Sequence, residues 1–268
     1  SGYNLIVLKL RLSIVGYLNS LPLSWGFIHN QSKDIFDYDF SPPSLCADQI
    51  AAGSVDVGLI PAIEYQRITN LKIVPNLSVA SKRKVSSVLL VSRVPIQKVR
   101  SIALDKSSRT SVALLQVLLK IRFKLNPLLT SHEPDLRKML YHNDAALLIG
   151  DSALTANITG LYHYDLSEEW RNETGKPFVF AFWAVRTESR LTNSTQFLES
   201  YHYGIAHLKD IVEQQSQKLV LPQKRISNYL EHCIDYSLDK ENLEGLLLFY
   251  ELANQLGITK GKRELNFI

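Results

Sequence analysis

Short apolar runs alternate along residues 10–185 with segments whose apolar positions recur every third or fourth residue, the periodicities of buried strands and of helices. The run 10–17 predicts a strand that breaks at Gly16, and 20–29 a helix with Pro22 in its first turn. A brief strand over 37–40 stops at Pro42-Pro43, and a helix over 45–52 is capped by Ser44 and closed by Gly53. The run 55–60 reads as a buried strand ended by Pro61, with a helical turn over 62–67. Two strands follow, 72–79 and 87–93, before a second series begins. That series is strand 101–104, loop 105–108, helix 109–123, strand 127–131, helix 134–141 and strand 145–149, which runs into Gly150-Asp151. The aromatic and β-branched run 177–185 is one more strand, and beyond it the pattern is helical throughout: 195–219, 223–236 and 240–256, broken at Pro222 and Asp239.

A strand–helix rhythm of this kind predicts a parallel sheet covered on both faces, and here it occurs twice. Two α/β units joined by the extended segments around 87–93 and 177–185 give a bilobed body that closes on a ligand. The chain crosses near Arg93 and returns near Ala181, so lobe 1 is 1–93 plus 182–268, lobe 2 is 94–181, and the helical C-terminus completes lobe 1. Ligands of open α/β sheets sit at the carboxyl ends of the strands, which directs attention to the loops 16–20, 41–44 and 61–64.

Composition narrows the function classes. Of 268 residues 46% are hydrophobic and 21% charged, enough apolar surface to exclude a disordered chain, and 12 Gly with 10 Pro are too few for a collagenous one. Thirty Lys and Arg against 26 Asp and Glu leave +4, and the basic runs 82–84 and 260–263 are too short and too poor in aromatics for a nucleic-acid groove. A small anion suits that charge. Cys46 and Cys233 form no CxxC and are expected as free thiols in a reducing compartment. The apolar stretch 5–8 is cut by Lys9 and Arg11, well short of the about 7 to 15 residues of a secretory leader or the about 20 of a membrane span, so a cytoplasmic location is expected. Residues 1–8 are set aside from the fold.

The densest polar chemistry lies in Asp105-Lys106-Ser107-Ser108-Arg109-Thr110-Ser111, between a strand and a strongly apolar helix. A helix N-terminus offers unpaired N–H groups and a partial positive charge to a carboxylate or phosphate. Ser107, Ser108, Thr110 and Ser111 add hydroxyls and Arg109 a charged donor, more than a single capping serine requires. Asn19, at the mouth of the first strand, both donates and accepts, although an Asn there also suits a simple turn. Asp151 is open to two readings, binding a substrate hydroxyl or capping the next turn. Glu64 is equally open, a functional carboxylate or one favoured by the helix dipole. Ser86 and Ser87 open the crossing strand without a Gly-x-Ser-x-Gly elbow. Seven histidines include no HxxxH pair, and GxGxxG and GxxxxGK[ST] are absent, so neither zinc nor nucleotide chemistry has support.

Six blocks, in order, are similar to those of the chorismate dehydratases of the futalosine route to menaquinone. They are Val15-Gly16-Tyr17-Leu18-Asn19-Ser20-Leu21-Pro22-Leu23, 56–65 (DVGLIPAIEY), Val85-Ser86-Ser87-Val88-Leu89-Leu90, 104–111 (LDKSSRTS), 147–154 (LLIGDSAL), and Glu169-Trp170 through 177–181 (PFVFA). The resemblance implies a bilobed type II periplasmic-binding-protein-like fold and a cytoplasmic lyase. Such an enzyme removes water from chorismate to give 3-[(1-carboxyvinyl)oxy]benzoate without metal or organic cofactor. It also implies catalytic roles for Asn19 and Ser87, with Ser86, Ser107, Ser108, Arg109, Thr110, Ser111 and Asp151 around the dicarboxylate substrate. No partner beyond that small molecule is implied, neither nucleic acid nor membrane. The same blocks are rich in hydroxyls and poor in bases, which suggests that the substrate's own enolpyruvyl carboxylate takes the proton. The basic run Ser81-Lys82-Arg83-Lys84-Val85 departs from the more neutral turn expected there and reads as a solvated surface. Two alternatives remain: the related enzyme that forms 1,4-dihydroxy-6-naphthoate, whose opening would read Cys-Pro-Asn-Asp, and a non-catalytic anion-binding module of the same architecture.

Overall fold

A computed structural model describes residues 8–268; the question raised by residues 1–7 lies outside the described residues. Its strands divide between two sheets. The first series contributes β1 (Leu10–Ile14), α1 (Leu21–Ile28), β2 (Phe36–Phe40), α2 (Pro43–Ala52), β3 (Val57–Pro61), β4 (Leu71–Ile73) and β5 (Asn76–Ser81). The second series is β6 (Val88–Ser92), β7 (Ser101–Asp105), α3 (Arg109–Ile121), β8 (Leu128–His132), α4 (Leu136–His142), β9 (Ala145–Ile149), α5 (Gly150–Thr155), β10 (Tyr162–Asp165) and α6 (Leu166–Thr174). The chain then returns through β11 (Phe178–Arg186), α7 (Thr195–Ala206), α8 (Leu208–Leu219), α9 (Gln223–Asn228), a π-helical turn (Tyr229–Cys233), β12 (Asp235–Leu238) and α10 (Lys240–Gln255).

The first sheet has the order β12-β5-β11-β3-β1-β2, with β4 also on β11; the second has β10-β6-β9-β7-β8. Among the strands described, β1 pairs in parallel with β2 and β3, and β7 with β8 and β9. The long strand β11 runs antiparallel to β3, β4 and β5, and β6 antiparallel to β9 and β10. Both sheets are therefore mixed, not parallel as the rhythm predicts. The returning strands, which the local pattern cannot orient, reverse direction.

Strand β6 belongs to the second sheet and all of β11 to the first. The chain thus passes between sheets in 82–87 and 175–177, earlier at both places than Arg93 and Ala181. Two stretches of chain depart from the periodicity reading. The polar segment 162–174 forms β10 and α6, whose start is capped by the buried Asp165 accepting from Ser167 and Glu168 N–H. The region 223–236 is not one helix: it ends in the π-turn and then pairs as β12 with β5. Ser44 does not cap α2, whose N-cap is Pro42.

Leu12, Val57, Phe178 and Phe182 from the first sheet share one continuous apolar cluster with Leu90, Ile102 and Leu147 from the second. Alternation within the second sheet sends Leu89, Val91, Ala103 and Leu148 to its other face, where they pack with Met139. Trp25, Trp170 and Trp183 are all buried, as core residues. Among the described residues no helix is long and apolar enough to cross a membrane. Lys82 is not simply solvated: it reaches Asp239 at 2.8 Å, Glu241 at 3.3 Å and Asp235 at 3.4 Å, tying the first crossing to β12 and α10.

Candidate active site

Where β1, β3 and β9 end, the two sheets face each other across a cleft lined by residues of both. Its walls are mainly apolar, with Val15, Leu59, Val79, Ile149 and Phe180 among them, and its polar groups are Tyr17, Asn19, Ser20, Ser87, Ser108, Arg109, Thr110 and Ser111. Apolar walls lower the local dielectric and strengthen the few polar contacts a ligand makes.

One end of the cleft is the N-terminus of α3. Ser108 is its N-cap but makes no side-chain capping bond, so its buried hydroxyl is not consumed there. The first N–H groups of the helix have no intrahelical carbonyl to bond. Thr110 Oγ1 accepts from Ile63 N–H at 3.1 Å, a contact from the second sheet to the turn after β3. Arg109 turns its guanidinium onto Asp48 of α2, with Nη1–Oδ1 at 2.9 Å and Nη2–Oδ2 at 3.1 Å. Glu64 lies 3.7 Å from Arg109 and 3.0 Å from Arg67, which explains this buried carboxylate as an ion-pair member outside the cleft wall.

The other end holds Asn19 and Ser87. Asn19 belongs to the 3₁₀ turn that follows β1, and Ser20 donates to its Oδ1 at 2.9 Å, which leaves the amide N–H groups as its donating edge. Its carbonyl accepts from Tyr236 at 2.7 Å. Ser87 is fully buried at the end of the crossing segment, and its carbonyl accepts from Gly150 N–H at 2.7 Å. Tyr229, from the π-turn, donates to Ser87 Oγ at 2.6 Å. Burial pushes the Tyr229 phenol far above its ordinary value, so it stays protonated.

Three of the sequence-selected residues stand behind the wall. Ser86 has φ +66°, and its N–H donates to Asp165 at 2.6 Å, so the residue shapes the crossing while Ser87 faces the cleft. Ser107 is held by Asp105, to whose Oδ1 it donates at 2.6 Å. Asp151 does not cap the next turn, whose N-cap is Ile149; its Oδ1 accepts from Leu18 N–H at 3.0 Å, a latch between the lobes. Burial pushes its carboxyl above the ordinary value of 3.8, as it does those of Asp105 and Asp165. Tyr17 lies beside this latch, with its OH 3.5 Å from Ser107 Oγ. A Cβ on Gly150, which has φ +57°, would come within 2.9 Å of the Tyr17 ring.

Arg109 is the one charged side chain on the cleft wall among the described residues; no carboxylate or imidazole joins it. Sequence reasoning missed Tyr229, Asp165 and Phe180. Tyr229 is 142 positions from Ser87 in a segment that reads as uninterrupted helix, so no local signal announces it. Asp165 opens a helix too polar to stand out.

Residues 10–255 match the family described as menaquinone biosynthesis. The chain belongs to that family. Within it, the curated chorismate dehydratase of Thermus thermophilus is 30% identical over 222 residues, covering 75% of this chain and 81% of that protein. The chorismate dehydratase of Campylobacter jejuni is 25% identical over 250 residues, covering 91% and 97%. The solved structure of protein AF1704 from Archaeoglobus fulgidus superposes with TM-score 0.77 at 18% identity, over 93% of this chain and 98% of that one. The periplasmic aliphatic sulphonate binding protein SsuA of Escherichia coli gives 0.66 at 15% identity, over 97% and 93%. The fold is thus the bilobed periplasmic-binding-protein type.

Proposed function

We propose that this chain is a carbon–oxygen lyase that dehydrates chorismate to 3-[(1-carboxyvinyl)oxy]benzoate and water, within menaquinone biosynthesis. The observation that carries the reading is a hydroxyl- and amide-lined cleft, in a chain 30% identical to a chorismate dehydratase, with the N-terminus of α3 at one end and Asn19 with Ser87 at the other. A dicarboxylate is served by this arrangement. One carboxylate docks on the first N–H groups of α3 and the hydroxyls of Ser108 and Ser111, and the other meets Asn19 and Ser87.

The reaction removes a ring C–H proton and the hydroxyl on the neighbouring carbon. The C–H pair becomes a ring π bond, hydroxide departs and takes up a proton as water, and the ring becomes aromatic. The enzyme's task is alignment and stabilisation of the charge that develops in the ring and on the leaving oxygen. Since the wall carries no carboxylate or imidazole among the described residues, the base is the substrate's enolpyruvyl carboxylate, held by the Asn19 amide and the Ser87 hydroxyl. This chemistry requires no metal or organic cofactor.

The test mixes the protein with chorismate, without added metal, and follows products by liquid chromatography and mass. Loss of one water with an intact enolpyruvyl group is expected. Chorismate that stays unchanged while raising the melting temperature would point to a binding module instead. For the base, Asp151→Asn and Glu64→Gln are expected to turn over chorismate; a variant that binds chorismate normally yet is inert would return the base to the protein.

A further inference from the structure

The C-terminal segment contributes one buried group that reaches Ser87 from behind the cleft wall. Tyr229 is 3% exposed and projects from the π-turn that ends α9. Such turns are rare, and they frequently mark functional sites because one extra residue redirects a side chain. The hydroxyl it presents donates to Ser87 Oγ at 2.6 Å. Tyr229 therefore bonds directly to Ser87, one of the two residues proposed to hold the reacting part of the substrate, at the crossing between sheets.

A hydroxyl has one proton to give. With Tyr229 donating to Ser87, the Ser87 proton is not drawn toward the protein and is left to point into the cleft. If the phenol instead accepted from Ser87, the serine would offer the substrate only lone pairs, which repel a carboxylate or a departing hydroxide. Burial keeps the phenol protonated throughout the neutral range, so the proton it donates to Ser87 remains in place. The anchors of the turn point the same way. Arg225 donates to Leu154 O of α5 at 2.7 Å, bridging α9 to the second lobe, and Ile234 N–H closes the turn on Tyr229 O at 3.1 Å.

We propose that Tyr229 is a positioning residue that sets the direction of the Ser87 hydroxyl, so that Ser87 donates to the substrate during dehydration. The inference rests on the dehydratase reading and deepens it. Tyr229→Phe keeps the ring and removes one oxygen. It is expected to lower kcat about 10- to 100-fold, the size of a misdirected hydrogen bond at a reacting centre, with KM changed less than about threefold.

The decisive measurement is a double-mutant cycle of Tyr229→Phe and Ser87→Ala, read as single-turnover chorismate dehydration with enzyme in excess so that very slow rates are captured. A residue acting through Ser87 costs nothing further once Ser87 is gone, so the double variant should match Ser87→Ala within about twofold. A structural role would cost the same factor in both backgrounds. Equal loss in both backgrounds, or a Tyr229→Phe enzyme with wild-type kcat, would overturn the positioning role while leaving the dehydratase reading intact. No dehydration by the wild-type chain would overturn that reading and this role together.

Discussion

Ser87 and Asn19 sit at one end of the cleft as donors, and the α3 N-terminus sits at the other. The two ends are expected to fail differently. Ser87→Ala and Asn19→Ala remove donors from the reacting end and should cost about 10² to 10³ in kcat in a steady-state assay with chorismate. Ser111→Ala, at a buried wall position of the helix end, should raise KM several-fold with kcat nearly unchanged, because that end holds the substrate equally before and during the reaction. The residue types were legible here: a hydroxyl-rich helix start and an Asn in a strand-end loop pointed to an anion site. Their division of labour was not. Thr110 spends its hydroxyl oxygen on Ile63, Arg109 its fork on Asp48 and Ser107 its proton on Asp105, and each of those partners is chosen by packing.

The elements that bound the cleft are joined by short contacts between lobes. Gly150 combines a left-handed φ of +57° with a 2.9 Å approach to the Tyr17 ring. Gly150→Ala is expected to destabilise the fold by about 1 kcal/mol or more from backbone strain, and to raise KM by displacing Tyr17. Thermal melting and steady-state kinetics on the same variant check both. The Asp151 latch gives a pH-dependent outcome. Its folded-state pKa is raised above 3.8, so the stability it contributes is full below that value and is lost as pH rises through the raised one. Asn offers Leu18 the same acceptor with no charge to desolvate. Asp151→Asn should melt above the wild type at neutral pH, with the gap closing as pH falls toward 3.8. A constant gap across that range would refute the assignment.

At the scale of the molecule, two sheets share one core. Trp170 of α6 is fully buried at their junction, donating to Pro177 O at 3.0 Å and packing edge-on against Phe178 and Phe249. Calorimetry should accordingly give a single transition in spite of the two lobes. Trp170→Ala should lower that one transition, at a cost of about 3–5 kcal/mol, without splitting it. Two resolved transitions would mean that the lobes fold separately.

The chain pattern by itself determined the two α/β units, the strand-end loop that carries Asn19, and the helix start at 108–111, since each is a local matter of periodicity, breakers and residue chemistry. The tertiary structure decided what depends on distant partners. Sheet membership moved the crossings to 82–87 and 175–177, because β6 and β11 take their places from the strands they pair with. Asp151 became a latch because burial beside Leu18 left its carboxylate one backbone donor to accept from. Tyr229 comes against Ser87 because the helical period fails at the π-turn, after which β12 pairs with β5. A hydrogen bond between residues 142 positions apart is written in the packing of two lobes and in no local stretch of sequence.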